Sequence, residues 1–133
     1  MELTNFNDTV FRLYLYADAT KMIHYATDKN HEHELCDTIR DTILDFVDEL
    51  AEQYYGYQGK PSYSSFTKLS DLDINETDDL AQLCKSASDL VDMLRSEAEK
   101  DSKLGNIVSL IDDYKGKMNK NLFLCTFDKI SGK

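Results

Sequence analysis

The chain is poor in the residues that interrupt helices. It holds one proline and five glycines in 133 residues, which leaves long stretches without a breaker and favours helices over short strands and turns. Its three cysteines, Cys36, Cys84 and Cys125, stand far apart with no CxxC spacing. An odd, scattered set of this kind excludes a zinc-ribbon or disulfide framework and reads as buried free thiols. No apolar run is long enough to cross a bilayer. The first residues, Met1 to Asn5, lack the basic flank and apolar stretch of a secretory signal, so the expected location is cytoplasmic. Positive charge is also short: 15 Lys and Arg against 25 Asp and Glu give a net charge of −10. Such a chain repels phosphate unless its bases cluster. The one loose cluster, Lys115, Lys117, Lys120, Lys129 and Lys133, reads mostly as solvated helix faces. DNA binding and membrane insertion are therefore not expected.

What is present is periodic. The length suits a single domain covering residues 1–133. Four helices are expected: about Asp8 to Lys29 after an Asn7 or Asp8 cap, one starting after Asn30 and ending near Gly56, roughly Glu76 to Lys100, and about Asn106 to Phe127. The third shows Leu80, Leu83, Ala87, Leu90 and Leu94 at alternating three- and four-residue steps, and the fourth repeats this with Ile107, Ile111, Tyr114, Met118 and Cys125. The first has two stripes, Val10/Leu13/Tyr14/Ala17 and Phe11/Leu15/Met22. A helix apolar on several sides is buried on several sides, which suggests that a partner chain covers it. The links at Lys29–Asn30 and Asp101–Gly105 are short and make antiparallel neighbours. The connection from Tyr57 to Asn75 is long and lets the second and third helices run parallel, as in ferritin-like folds; Ser64 to Leu69 is a candidate short helix within it.

The second helix carries the chemistry. Residues 31–55 hold eight acids and one base, Arg40, an arrangement that attracts cations. His33, Asp37, Asp48 and Glu52 fall at about 0°, 40°, 60° and 100° around the helix, while Leu35, Ile39, Ile43, Phe46 and Leu50 centre about 250° round. His33 and Asp48 are nevertheless about 22 Å apart along the axis, so no single metal ion can touch both ends within one chain. An antiparallel second copy, related by a two-fold axis near Thr42 and Ile43, would set His33/Asp37 of one chain against Asp48/Glu52 of the other, twice over. His24, near the end of the first helix, would complete each set if the tight turn folds it back. Two imidazoles and three carboxylates suit Fe(II), Zn(II) or Mn(II), not a thiolate-selected metal. By themselves, acids at i, i+4 spacing are more often a solvated face, and His24 more often a hydrogen-bonded core histidine. His31 reads as a surface residue and spare ligand, Asp41 and Asp45 as added negative field, and Tyr54 and Tyr55 as packing residues or redox-active neighbours of Glu52.

At these positions the chain resembles the Dps family, small ferritin-like proteins that protect DNA during starvation. The family pattern is His-Trp at the end of the first helix, then His-Glu-x-x-Asp, then Asp-x-x-x-Glu; this chain has His24-Tyr25, His33-Glu-Leu-Cys-Asp37 and Asp48-Glu-Leu-Ala-Glu52. Gly59-Lys-Pro61 through Leu69 resembles the family's short helix between the second and third helices. The resemblance is specific across residues 24–61 and looser elsewhere. It implies an all-α, ferritin-like four-helix bundle with a long crossover. It further implies a ferroxidase site of His24, His33 and Asp37 from one subunit with Asp48 and Glu52 from its mate. Assembly into a homo-oligomer through two-fold dimers, up to a hollow dodecamer, and oxidation and storage of iron with removal of peroxide would follow. The chain departs from the family in a shorter first connection, in Tyr25 where the family has tryptophan, and in lacking a lysine-rich N-terminal arm. The competing expectation is a non-catalytic helical interaction module, viral or regulatory, whose acidic stripe is a docking or solvated face.

Overall fold

A computed structural model describes residues 2–64 and 72–127. Among these residues the only regular secondary structure is helical, without strands. Helix α1 spans Phe6–Ala26, α2 Asn30–Gln58, α3 Leu80–Asp89, α4 Asp92–Ala98 and α5 Gly105–Leu124, with a 3₁₀ turn at Ser102–Leu104 before α5. No described helix is long and apolar enough to cross a membrane.

The helices assemble as a bundle whose directions can be read from side-chain contacts. α1 packs most extensively on α2, and Tyr55 OH donating to Asn7 Oδ1 at one end with His24 beside His33 at the other makes them antiparallel. α2 and α5 are antiparallel too: His31 reaches the Leu124 carbonyl at 2.9 Å and Asn106 donates to Gln53 at 2.8 Å. α5 is antiparallel to α3, with Tyr114 OH on the Ala87 carbonyl and Cys84 Sγ on the Met118 carbonyl. Hence α2 and α3 run in the same direction, which the long connection between them permits. The apolar stripes of all helices meet in one core, where Leu13, Ile39, Ile43, Leu50, Ile107, Ile111 and Met118 are wholly buried.

Boundaries follow local chemistry. α1 begins at Phe6, ahead of the expected Asn7 or Asp8 cap, and is preceded by Asn5 in the left-handed region (φ 56°) with no side-chain cap bond. It stops at Ala26, three residues short of Lys29, so the link to α2 is Thr27 to Lys29. α2 continues past Gly56 to Gln58; Gly59, at φ 111°, takes the backbone turn that an L side chain resists. α3 starts at Leu80 instead of Glu76 because the Asp79 carboxylate accepts from the Ala81 and Gln82 amides. The single expected third helix is interrupted at Leu90–Val91. Neither proline nor glycine causes the break. Tyr114 OH takes the Ala87 carbonyl at 2.9 Å, and Lys115 Nζ takes the Ser88 carbonyl at 3.0 Å while pairing with Asp92 at 2.7 Å. Side chains from α5 thus satisfy carbonyls that a continuous helix would bond internally. α5 ends at Leu124, short of Phe127, and its capping residue Cys125 is half-buried, unlike the fully buried Cys36 and Cys84.

Within the crossover, Arg12 Nε donates to the Asp73 carbonyl at 3.0 Å and the Asn75 amide to Tyr16 OH at 3.3 Å. Leu72 and Ile74 pack on the core. This segment lies along α1, and Phe11 of the second stripe is buried within the single chain. A partner is therefore not required to cover Phe11. Tyr14, Met22 and Tyr25 of α1 are 41%, 59% and 69% exposed. The short helix expected at Ser64 to Leu69 lies, beyond Ser64, outside the described residues.

Candidate functional site

The turn between α1 and α2 delivers His24 to His33. Their rings stack with centroids 3.7 Å apart at 24°. His24 Nδ1 lies 2.7 Å from the His33 carbonyl, and His33 Nδ1 lies 2.9 Å from the His24 carbonyl. A carbonyl only accepts, so Nδ1 of each ring carries a proton and donates it. A neutral imidazole held in this way keeps its lone pair on Nε2, the usual state of a metal-ligating histidine whose second nitrogen bonds a carbonyl. His24 is largely buried (9% exposed), whereas His33 is exposed and opens on a depression of about 270 Å³ lined by Thr27, Asp28, Lys29, Asn30 and His33.

Asp37 joins this pair. Its Oδ1 lies 3.6 Å from His24 Nδ1 and 3.0 Å from Lys21 Nζ. The hydrogen bond from Lys21 and its ammonium charge hold the Asp37 carboxyl below the usual aspartate range. Lys21 also lies 5.5 Å from the centre of the Tyr25 ring. Sequence reasoning missed Lys21, although its position three residues before His24 puts it on the same helical face.

Asp48 and Glu52 occupy the far end of α2. Among the described residues neither makes a salt bridge or a side-chain hydrogen bond. Their charges fall on Tyr14 of α1, whose phenol is pushed up first by burial and then by Asp48 and Glu52. Three of the five expected ligands, His24, His33 and Asp37, are thus brought together, and two are held apart. Among the described residues no three His, Cys, Asp or Glu side chains form a group that could hold a metal ion within one chain.

The remaining candidates lie elsewhere. His31, expected at the surface as a spare ligand, is half-buried; it ties the start of α2 to the Leu124 carbonyl and stacks 5.6 Å from Phe127. Asp41 and Asp45 line a separate groove of about 620 Å³ between α2 and α5, with Glu49 and Asp113 on its walls and Phe46 and Tyr114 among its apolar lining. Tyr54 packs on Phe6 and accepts from the Leu3 amide at 2.7 Å. Among the described C-terminal lysines, Lys115 pairs with Asp92 and Lys117 with Asp113. Lys129 and Lys133 lie outside the described residues.

No known family profile matches the chain, and neither curated proteins nor solved structures give a significant match.

Proposed function

We propose that the protein is a Dps-like mini-ferritin that binds and oxidises Fe(II) at sites shared across a two-fold dimer. The observation that carries this reading is the His24–His33 pair. Each ring is pinned through Nδ1 to the other's backbone, which leaves its Nε2 lone pair uncommitted, and Asp37 Oδ1 lies 3.6 Å from His24 Nδ1. A histidine serving only the core would have no need of a second ring locked in the same tautomer at the surface. The parallel course of α2 and α3 supports the ferritin-like connectivity, and the unpaired Asp48 and Glu52 supply the carboxylates that the histidine end lacks.

In this reading Fe(II) is the substrate. The imidazole Nε2 atoms and Asp37 of one chain bind it together with Asp48 and Glu52 of a second copy. Mixed nitrogen and oxygen ligation suits Fe(II), with Zn(II) or Mn(II) as competitors. Two Fe(II) ions reduce one hydrogen peroxide, and with two protons the products are two Fe(III) and two waters. Ferric product then passes to storage, and peroxide is removed.

The test uses the divided site. His33→Ala with Asp37→Ala, and separately Asp48→Asn with Glu52→Gln, should each abolish accelerated Fe(II) oxidation. Mixed dimers of the two variants hold one intact site in two, so a random mixture should regain about a quarter of the wild-type sites. Normal oxidation in either variant, or no recovery on mixing, would sink the assignment. The second reading, a metal-independent helical interaction module, is favoured by Lys21, which already neutralises Asp37. A metal-free monomer in light scattering and elemental analysis would support it; a large iron-loaded particle would support storage.

A further inference from the structure

The second apolar stripe of α1 is covered within the chain only in part. Phe11 is buried, but Met22, further along the same stripe, is exposed. Met22 borders an open groove of about 560 Å³ between the end of α1 and residues 74–78, with Ala19, Ala26 and Ile74 as further apolar lining. The charged groups on its rim are both carboxylates, Glu76 and Asp78. Neither makes a salt bridge or side-chain hydrogen bond among the described residues. The surrounding stretch, residues 73–79, carries four acids and no base.

A feature of opposite character stands at the end of α5. Phe123 and Phe127 are 61% and 41% exposed, and their ring centres lie 5.2 Å apart, edge to face. Single exposed apolar residues are ordinary, whereas an adjoining aromatic pair marks a contact surface. Lys120 precedes Phe123 by three residues, which makes them neighbours on the helix surface. Residues 115–127 hold three lysines and no acid. Lys115 and Lys117 are already paired, and Lys120 makes no salt bridge among the described residues. Groove and aromatic pair are both exposed in the single chain, so the pair does not fill its own groove.

We infer that Phe123 and Phe127 dock into the α1/74–78 groove of a second copy of this chain, with Lys120 set against Glu76 and Asp78 of that copy. Apolar surface meets apolar surface, and a lysine without an ion-pair partner meets two such carboxylates. The contact joins two different patches, so it is head-to-tail: each copy gives its aromatic pair to one neighbour and receives the pair of another. Contacts of this kind build rings where the rotation closes and filaments where it does not. This one uses none of the residues of the two-fold iron site proposed above and needs no metal.

The experiment measures particle mass of the full chain by sedimentation velocity in metal-free buffer, over a range of protein concentration. Phe123→Ser breaks the pair, and Met22→Lys places a positive charge in the groove that receives Lys120. Both replaced side chains are exposed, so circular dichroism should be unchanged. Each variant should lower the mass, with self-association weakened by about tenfold or more, as for loss of an aromatic anchor. Mixing the two should restore growth, because Met22→Lys keeps its aromatic pair and Phe123→Ser keeps its groove. Lys120→Glu should weaken assembly too, and Glu76→Lys in the same chain should recover it. Wild type no heavier than the variants, or a mixture no heavier than its components, overturns the inference. Failure of Glu76→Lys to recover Lys120→Glu overturns the charge pairing. Iron oxidation does not enter any of these readouts, so the iron site and this contact stand or fall separately.

Discussion

Lys21→Met separates a metal site from a structural ion pair. Lys21 Nζ lies 3.0 Å from Asp37 Oδ1, with the two side chains 28% and 51% exposed. The ammonium already occupies Asp37 Oδ1, so a cation bound by that oxygen must displace it. A unit charge about 4 Å away in water-like surroundings alters the binding of a monovalent cation roughly fivefold, and that of a divalent ion more, before salt screening reduces the effect. Methionine keeps the unbranched stem and removes the charge. The variant should therefore bind Co(II) or Zn(II) on the order of tenfold more tightly near neutral pH, and the gain should shrink as ionic strength rises. At sub-saturating iron its initial Fe(II) oxidation rate should rise in proportion. Calorimetric titration with Co(II) reads the first effect directly. Unchanged or weaker binding would refute the argument, because it would mean that Asp37 and its imidazoles do not present a cation site for which Lys21 competes.

Other consequences follow from particular contacts. The Asp37 and Asp112 carboxyls are held below the ordinary value of 3.8 by Lys21 and Arg95 respectively. Their stabilisation is present above that value and is lost as pH falls through the depressed folded values, so Lys21→Met should move the acid unfolding midpoint, followed by circular dichroism, to higher pH. Burial pushes the Cys36 and Cys84 thiols up to about 12 from 9.0. Both stay protonated in the folded chain, which should leave Cys125 as the one thiol that reacts readily with a disulfide reagent until denaturant is added. The same shifts stabilise the fold fully below pH 9.0, and this contribution should fade as pH rises towards 12. Tyr114→Phe leaves the Ala87 carbonyl without its phenol donor and should lower stability by about 1 kcal/mol in denaturant titration.

The periodic parts of the fold were legible because each helix carries its own apolar stripe. The parallel course of α2 and α3 was legible from the length of the chain between them. The interruption at Leu90–Val91 was not, since its cause lies in Tyr114 and Lys115 on another helix. The start of α3 was misread because Asn75, Thr77, Asp78 and Asp79 all offer capping oxygens, and only the side-chain geometry of Asp79 decides among them. Helical spacing placed His33, Asp37, Asp48 and Glu52 on one face. It could not say how His24 meets them, because the link is made through the two backbone carbonyls of His24 and His33.

That link bears on the two readings of the acidic stripe. A solvated face needs no tautomer control, and its charges are best spread apart. Here the α1–α2 turn fixes two imidazoles through Nδ1 at one end of the stripe, and Asp37 already binds a cationic group there. At the other end Asp48 and Glu52 lie one turn apart without a salt-bridge partner among the described residues, a like-charge pair that costs free energy until a cation arrives. The ends are separated by the length of α2, so neither can relieve the other within one chain. Antiparallel pairing of two copies would relieve both. In the absence of metal the same pairing would bring Lys21 of one copy towards Asp48 and Glu52 of the other. Lys21 would then have two uses in the proposed dimer: counter-ion of the site, and the group that iron would have to move aside.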